Sequence, residues 1–310
     1  MSRLSADQLQ TFVTIIEYGT FEAAADILGV SAPAISQRVK TMERIAGQVL
    51  LRRTNPIEPT AAGENILRIA RQSEYLQQEL ERALAGSTGH RTISIAVNAD
   101  SLATWFMEAV RALAVEESIY CQIRREGEFQ SSALLRSGEV MGAITSDPHP
   151  IAGCSWEPLR VMKYWVVASR EFVQRHFPDF PRVSLEQLDA APVLEYDRQD
   201  YGYHRARQLL EAQYRINPEE SDFSLSERVP APRLYVPSSP DYARAVDAGC
   251  AWGVLPWEQC EKGLSSGELV ALVEEPFEVQ LYWQHWNIDS PLLASVTDGI
   301  RRAADAGQNS

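Results

Sequence analysis

A predicted helix near the N-terminus carries side chains of the types that hydrogen-bond to nucleic acid. It begins at Ser31, and its outward face presents Ser36, Gln37 and Lys40 opposite an apolar stripe that contains Ile35. Hydroxyl, amide and ammonium groups contact base edges and phosphates, and the helix N-terminus adds backbone N–H donors. This face therefore predicts contact with DNA, although a solvated helix surface has the same pattern.

Two shorter helices are predicted to position this third helix. Apolar residues recur at helical spacing over residues 9–16 and again over residues 21–28. Gly19 and Gly29 follow these two segments as helix stops, and Thr20 is placed to cap the second helix. The turn between the second and third helices is only a few residues long and contains a glycine, which indicates a helix-turn-helix.

A basic wing is predicted directly after the third helix. Residues 50–54 predict a short strand, Asn55 and Pro56 a turn, and the chain returns through Ile57 to Thr60. A hairpin at this point is what a winged helix requires. The candidate DNA-contacting residues of the helix and the wing are Ser31, Pro33, Ser36, Gln37, Arg38, Lys40, Arg52, Arg53 and Thr60.

The overall charge is unfavourable for a nucleic-acid-binding protein, but it is unevenly distributed. The 310 residues include 29 Lys and Arg against 42 Asp and Glu, a formal charge of -13. Between residues 38 and 53, however, the charged residues are basic except for Glu43. A basic head on an acidic body is compatible with DNA binding, and the acidic body discourages indiscriminate adhesion.

The run from Leu9 to Gly63 resembles the DNA-binding domain of the LysR-type transcriptional regulators. The order and spacing of the matching residues carry this resemblance, which extends over the whole chain. It implies a dimer, or a dimer of dimers, on partly symmetric promoter sites, with the third helix in the major groove and the wing along the backbone. The matching residues are Phe12, Gly19, Phe21, Ala24, Ala25, Leu28, Ser31, Ala34, Ser36, Lys40, Glu43, Gly47, Leu51, Arg53, Thr60, Ala62 and Gly63.

A long helix is predicted from Ala61 to about Ala85. Its apolar seam recurs every 3.5 residues on average, as in a coiled coil. The seam consists of Ile66, Ile69, Ser73, Leu76, Leu80 and Ala83. The helix therefore pairs with a copy of itself or, alternatively, packs against its own domain. Residues 86–89 predict a flexible hinge.

Strands alternate with helices beyond the hinge, which predicts a parallel α/β sheet. A second α/β segment is predicted from about Tyr164. The fold class is α/β with an N-terminal all-α winged helix-turn-helix, and the resemblance implies a two-lobed, periplasmic-binding-protein-like effector domain with its ligand between the lobes. The predicted domains are a winged helix-turn-helix at 1–60, a dimerisation helix at 61–86, effector subdomain 1 at 91–163 with 268–305, and effector subdomain 2 at 164–267.

Acidic and hydroxyl side chains follow the predicted strands, where parallel α/β sheets bind their ligands. Acids such as Asp100 suit the cationic end of a basic amino acid, whereas Ser101, Thr104 and helix N–H groups suit its carboxylate. Instead of binding a ligand, the acids could simply belong to the loops of an acidic protein. Ser238, Ser239, Asp197 and Asp200 could likewise be ordinary helix caps and turn residues. The candidate effector-binding residues are Asn98, Asp100, Ser101, Leu102, Thr104, Trp105, Glu126, Glu128, Thr145, Ser146, Asp147, Asp197, Ser238 and Ser239.

Three segments are similar to the branch of the LysR-type regulators that controls arginine and lysine export, the ArgP/LysG type. They are residues 98–105, residues 138–143 and the pair Tyr282 and Trp283. This resemblance implies that the chain senses a basic amino acid and activates an exporter gene. One departure is Gly127, where a further acid is expected.

We therefore predict a cytoplasmic transcriptional regulator that is not an enzyme and needs no cofactor or metal. The sequence has no P-loop, no Gly-x-Ser-x-Gly motif and no His pair at metal spacing. The four cysteines are expected to be buried thiols. The expected partners are double-stranded promoter DNA, lysine or arginine, RNA polymerase and further copies of the chain in a homodimer or homotetramer, with no membrane. The alternatives are a LysR-type regulator of another operon with another ligand, a solute-binding protein, or an enzyme.

Overall fold

The structure is a computed structural model, and it describes residues 4–85, 90–125, 128–198, 200, 202–214 and 232–306. Side chains are described for all of these except residues 85 and 128–130. The chain divides into two compact units. The first unit comprises Met1–Val97, Ala112–Glu157 and Trp283–Val296, and the second comprises Asn98–Arg111, Pro158–Tyr282 and Thr297–Ser310. The subdomain boundaries near residues 163 and 268 remain a prediction.

The first unit begins with three helices and a small hairpin, as predicted. These elements are α1 (Ala6–Tyr18), α2 (Phe21–Leu28), α3 (Ala32–Ala46), β1 (Leu51–Arg52) and β2 (Glu58–Pro59). The Thr20 hydroxyl accepts from the Ala23 amide and so caps α2. Gly19 and Gly29 end α1 and α2 in the left-handed conformation, at φ 75° and 63°. Local capping chemistry therefore determines where these helices start and stop.

A single long helix, α4 (Ala61–Ala85), follows the hairpin. One of its faces is buried within the first unit, where Leu67 and Ala70 join the core of the head and the Tyr75 hydroxyl lies 2.8 Å from that of Ser290. Another face leaves Leu76 and Leu80 exposed. The two alternatives for this helix are therefore compatible, because packing against its own chain covers Ile66 of the predicted seam but leaves Ile69, Leu76 and Leu80 exposed.

The remaining elements follow in the order β3 (Arg91–Val97), α5 (Ala99–Ala103), α6 (Phe106–Glu116), β4 (Ile119–Arg125), α7 (Glu128–Ser137), β5 (Gly142–Thr145), β6 (Cys154–Ser169), α8 (Arg170–His176), α9 (Leu185–Ala190), β7 (Val193–Glu195), α10 (Gly202–Gln213), β8 (Arg233–Tyr235), α11 (Ser239–Asp247), β9 (Gly253–Pro256), α12 (Trp257–Ser266), β10 (Leu269–Ala271), β11 (Phe277–Trp286) and α13 (Pro291–Ala306). In the first unit β3 pairs in parallel with β4 and β5. The Trp286 amide at the end of β11 donates to the Met141 carbonyl at 2.9 Å. The predicted parallel sheet is present.

The second unit contains strands of both directions. β6 pairs antiparallel with β9 and with β10, whereas β7 pairs in parallel with β8. β6 is longer than predicted: the apolar run near Tyr164 is only its second half, and the strand begins at Cys154. The first half was missed because its side chains are mostly half-buried or exposed, so it has no continuous apolar run.

Two further expectations can be compared with the structure. Of the four cysteines only Cys260 is buried, while Cys121 and Cys154 are half-buried and Cys250 is exposed, so the expectation of four buried thiols is wrong. Throughout the described ranges, every helix is too short or too polar to cross a lipid bilayer.

Candidate DNA interface and ligand site

The outward face of α3 presents the predicted polar side chains. Gln37 and Lys40 are exposed and Ser36 is half-buried, whereas Ile35 and Val39 on the opposite face are buried. Ser31 is the N-cap residue of α3, but its hydroxyl makes no capping hydrogen bond. Its side chain and the first-turn N–H groups are therefore compatible with a phosphate contact.

Two of the predicted DNA-contacting residues make structural hydrogen bonds. The Arg38 guanidinium donates to the Thr11 hydroxyl of α1 at 2.9 Å. The Thr60 hydroxyl donates to the Val49 carbonyl at 2.8 Å and accepts from the Gly63 amide at 3.1 Å, which caps α4. These bonds orient α3 and the wing relative to their neighbours, and a DNA contact by either residue remains a prediction.

The cations of the wing are exposed. Arg52 lies 3.9 Å from Glu58 across the hairpin, and both side chains are more than half exposed, so this ion pair contributes little to stability. Lys40, Arg44 and Arg53 are exposed too, and within the described part of the chain none of them has a carboxylate partner. Exposed, unpaired cations are the groups that neutralise phosphates.

Glu43 and Gly63 fix the start of the wing. The Glu43 carboxylate accepts from the Leu50 amide at 3.0 Å, so the acid within the basic stretch has a structural role. A Cβ atom on Gly63 would lie 2.1 Å from the Leu50 carbonyl oxygen, which is far inside van der Waals contact. α4 therefore approaches the wing as closely as it does because residue 63 is glycine.

In the second unit, four residues that are distant in the sequence meet at one carboxyl group. Tyr164 donates to Asp100 Oδ2 at 3.0 Å and Tyr196 donates to Oδ1 at 3.4 Å. The Ser239 side chain donates a further hydrogen bond to the same carboxyl. We call Asp100, Tyr164, Tyr196 and Ser239 the Asp100 cluster. It is a carboxyl group surrounded by hydroxyl donors, an arrangement that is compatible with a cationic group.

The surroundings of Asp100 shift its pKa. Burial raises its pKa, the three hydroxyl donors partly oppose that rise, and the nearby Asp200 adds to it. The Asp200 carboxylate itself accepts from the Tyr196 amide at 2.7 Å and the Gly202 amide at 2.8 Å. An incoming cation would favour the ionised form of Asp100 and so oppose this rise in pKa.

Aromatic rings extend the cluster. Tyr164 stacks on Phe277 with ring centroids 5.4 Å apart, and Tyr196 stacks on Tyr242 at 5.5 Å. Aromatic faces attract cations, most of all planar guanidinium groups. The cluster therefore combines a carboxyl group with two aromatic pairs, an environment suited to a basic side chain or an ammonium group.

The predicted carboxylate donors of α5 are already engaged. Ser101 is buried and its hydroxyl donates to the Met162 sulfur at 3.7 Å. The Thr104 hydroxyl donates to the Asp100 carbonyl at 2.7 Å. Asn98 is the N-cap residue of α5 without a capping side-chain bond, and Leu102 is half-buried. Of this segment, the structure brings Asp100 into the cluster.

The remaining predicted effector residues belong to the first unit, to the second unit or to the residues outside the described ranges. In the first unit the Thr145 hydroxyl accepts from the Asp147 amide, and Asp147 accepts from the ring and the amide of His149. Although partial burial raises the pKa of Asp147, the bonds from His149 lower it overall. Ser146 is half-buried, Asp197 is exposed, and Ser238 donates to Asp241. Glu126 and the side chain of Glu128 lie outside the described residues.

Sequence reasoning missed Tyr164 and Tyr196 as members of the cluster. Tyr196 follows β7 directly, so the rule that selects strand ends applies to it as well. Tyr164 lies inside β6. Its alternation with Met162 shows that both side chains share one face of the strand, but only once the strand itself is known.

A separate cavity of about 420 Å³ in the second unit, next to Asp247 and Glu268, contains none of the predicted residues. The described residues include no His, Cys, Asp and Glu group able to hold a metal.

Comparisons with known proteins agree with both parts of the chain. The family model described as bacterial regulatory helix-turn-helix protein, lysR family, matches residues 6–64. The model described as LysR substrate binding domain matches residues 86–305. A curated relative, the lysine export transcriptional regulatory protein LysG of Corynebacterium glutamicum, is 34% identical over 303 residues, which are 97% of this chain and 98% of that protein.

Two solved structures are similar over nearly the full length. Full-length LysG of Corynebacterium glutamicum with bound effector Arg has a TM-score of 0.82 and 32% identity, covering 97% of this chain and 98% of that one. ArgP of Mycobacterium tuberculosis has a TM-score of 0.84 and 36% identity, with the same two coverages. The chain therefore belongs to the LysR family of bacterial helix-turn-helix regulators, in the branch that includes LysG and ArgP.

Proposed function

We propose that this protein is a cytoplasmic transcription activator that responds to arginine or lysine and controls a gene for a basic amino acid exporter. It acts on promoter DNA together with RNA polymerase and is not an enzyme. The observation that carries the proposal is the Asp100 cluster, a carboxyl group held by three hydroxyl donors in a chain 32% identical to a regulator solved with bound Arg.

The exposed face of α3 supports major-groove contact. Gln37 has the side-chain amide that reads adenine, and Lys40 has a flexible ammonium for guanine or phosphate. Arg53 in the wing is exposed and suits a backbone phosphate. Arg38 and Thr60 take part mainly by orienting α3 and the wing through Thr11 and Val49.

The exposed stripe on α4 supports a homodimer. Ile69, Leu76, Leu80 and Leu84 are 51%, 43%, 59% and 79% exposed, although they are large apolar side chains at helical spacing. Leu76, Leu80 and Leu84 lie within three turns of the helix. A second copy of α4 would cover this stripe with an apolar stripe of the same spacing. Dimerisation places two heads on two half-sites, and pairing of dimers gives the tetramer.

The Asp100 cluster supports a cationic ligand. A ligand ammonium or guanidinium would replace the solvation of Asp100 by a charge-assisted hydrogen bond, which is stronger than a neutral one. Neutral amino acids with apolar side chains bring only their own ammonium group to the same site. Asn98, Leu102, Thr145, Ser146, Asp147, Asp197 and Ser238 are proposed as further contacts, and they rest on strand-end position alone.

The proposed target gene follows from the relative described as a lysine export regulator. An exporter that removes a basic amino acid is useful when that amino acid is abundant. A sensor on the same chain as the DNA-binding head would connect the amino acid concentration with transcription of the exporter gene. The ligand acts by shifting an equilibrium between two arrangements of the protein on DNA.

The proposal is tested by promoter binding and ligand binding with the full chain. A thermal-shift panel of arginine, lysine, histidine, citrulline and neutral amino acids should show stabilisation by the basic compounds, because binding to the folded state raises its stability. Sequence-selective binding to its target promoter, changed in affinity or in the footprint by the same compounds, is the second expected result. Equal responses to neutral and basic amino acids, or DNA binding without sequence preference, would contradict the proposal.

A further inference from the structure

The second unit contains a buried arginine with spare hydrogen-bonding capacity. Arg160 on β6 is 3% exposed, and its Nη2 donates to Glu258 Oε1 at 2.7 Å. Its Nε and Nη1 are enclosed as well, and neither has a partner among the described residues. Buried donors in proteins are almost always paired, and the Nε–H and Nη1–H bonds of a guanidinium point to different sides, so either can serve a further acceptor. Arg160 therefore has donors for a second carboxylate besides that of Glu258.

A tryptophan next to Arg160 adds a donor of the same kind. The guanidinium carbon of Arg160 lies 5.3 Å from the centroid of the Trp105 ring, so the cation is held against an aromatic face. Trp105 is buried, and its Nε1 is likewise without a partner in the described part of the chain. Arg160 and Trp105 together offer three enclosed donor nitrogens, and such a set suits an anion.

β6 connects this pair with the Asp100 cluster. Arg160, Met162 and Tyr164 alternate along the strand and so share one of its faces. Met162 accepts from Ser101, and Tyr164 donates to Asp100. The Cα atoms of Arg160 and Tyr164 are four residues apart, roughly 13 Å at about 3.3 Å per residue. A cation and an acid thus lie along the same face of one strand, as an elongated zwitterionic ligand requires.

The hydroxyl groups first expected to hold the ligand carboxylate have other partners. Ser101 donates to the Met162 sulfur and Thr104 to a backbone carbonyl of its own helix. α5 has only five residues, too few for a strong N-terminal anion site. The unpaired donors in this region are instead those of Arg160 and Trp105.

We propose that Arg160 and Trp105 form the subsite for the α-carboxylate of the amino acid ligand. The carboxylate accepts from one of the two unpaired nitrogens of Arg160 and from Trp105 Nε1, while the Asp100 cluster binds a cationic group of the same ligand. This inference rests on the proposed function. Because the three nitrogens are enclosed, the ligand gains access when the first turn of α12, which carries Glu258, moves aside.

The first turn of α12 has a link to the other end of the site. Gln259, next to Glu258, donates to the Ser239 hydroxyl at 2.8 Å, and Ser239 belongs to the Asp100 cluster. Glu258 itself is a carboxylate already bonded to Arg160 and competes with the carboxylate of the ligand. Its removal is therefore expected to strengthen carboxylate binding, whereas removal of Arg160 weakens it.

The experiment compares L-arginine with agmatine, which is arginine without its carboxylate, by titration calorimetry on the full chain. In Arg160→Met the affinity for arginine should fall about tenfold or more, while that for agmatine changes by less than about twofold. Glu258→Gln should raise the affinity for arginine without raising that for agmatine. Arg244→Met, at an exposed arginine of the same unit, is the matched control and should behave as wild type.

Arg160→Lys keeps the charge and loses the fork, so it covers the case in which the methionine variant does not fold. It should lose arginine affinity and retain agmatine affinity. An equal fall for both ligands in the Arg160 variants, or unchanged arginine affinity, would overturn the subsite. A wild-type protein that binds neither compound would refute the proposed function and the subsite with it. That result is distinct from variants that bind both compounds but no longer distinguish arginine from agmatine.

Discussion

Replacing Asp100 by asparagine separates ligand binding by this side chain from its effect on folding. Asparagine has nearly the same shape but no negative charge. One oxygen still accepts from a tyrosine hydroxyl, whereas an NH2 donor replaces the other oxygen, so that either Tyr164 or Tyr196 must accept instead of donate. A hydrogen bond to a charged group contributes about 1.5–3 kcal/mol, so the affinity for arginine should fall roughly 10- to 150-fold. The variant should fold, because a tyrosine hydroxyl can accept from the asparagine NH2 group as well as donate to its oxygen.

The same substitution has an effect of opposite sign on stability. Burial raises the pKa of Asp100 in the folded protein above its ordinary value. The folded chain therefore binds more protons than the unfolded chain between the two pKa values, and its stability falls as pH rises through that window. Asparagine removes this loss. The melting temperature of the variant without ligand should exceed that of wild type above the raised pKa, and the difference should vanish well below the ordinary pKa.

Ligand affinity provides a second pH test. Wild-type Asp100 must be ionised to bind a cation, so its affinity for arginine should decrease below the raised pKa, by at most about tenfold per pH unit. In Asp100→Asn this dependence should be absent. Calorimetry and thermal unfolding over a pH series from about 3, below the ordinary aspartate pKa, to about 8 measure both effects. Asp298→Asn, at an exposed aspartate of the same unit, is the control. Unchanged arginine affinity in Asp100→Asn would refute the assignment of Asp100 as the ligand's counter-charge.

Three further predictions concern the first unit. Gly63→Ala places a Cβ 2.1 Å from the Leu50 carbonyl oxygen and should destabilise the head by about 1–3 kcal/mol or more, seen as faster hydrogen exchange of α1–α3 and lost DNA binding. Unaltered exchange would contradict the close approach. Gln37→Ala should reduce the preference for one base by about 1–3 kcal/mol at one position of the site. Arg53→Ala should lower the affinity for all DNA sequences equally and reduce the salt dependence of binding. The reverse pattern would mean that the recognition surface is misplaced. Leu80→Glu should dissociate the dimer in sedimentation equilibrium, and an intact dimer would exclude the exposed stripe of α4 as its interface.

Local sequence patterns were sufficient to predict the head. The apolar spacing of Phe12, Ala24 and Ile35, together with caps such as Thr20 and stops such as Gly19, acts within one or two helical turns. Such interactions are readable from neighbouring residues because the partners are three or four positions apart. The parallel pairing of β3 with β4 and β5 followed in the same way from the alternation of strands and helices.

The sequence by itself determined that the chain has a winged head, a long amphipathic helix and an acid at residue 100 that follows a strand. Only the tertiary structure decided what surrounds that acid, because Tyr164, Tyr196 and Ser239 lie 64, 96 and 139 positions further along. It likewise decided that Ser101 and Thr104 are occupied and that Arg160 beside Trp105 has unpaired donors. Partners separated by long stretches of chain are chosen by packing, which no local periodicity encodes.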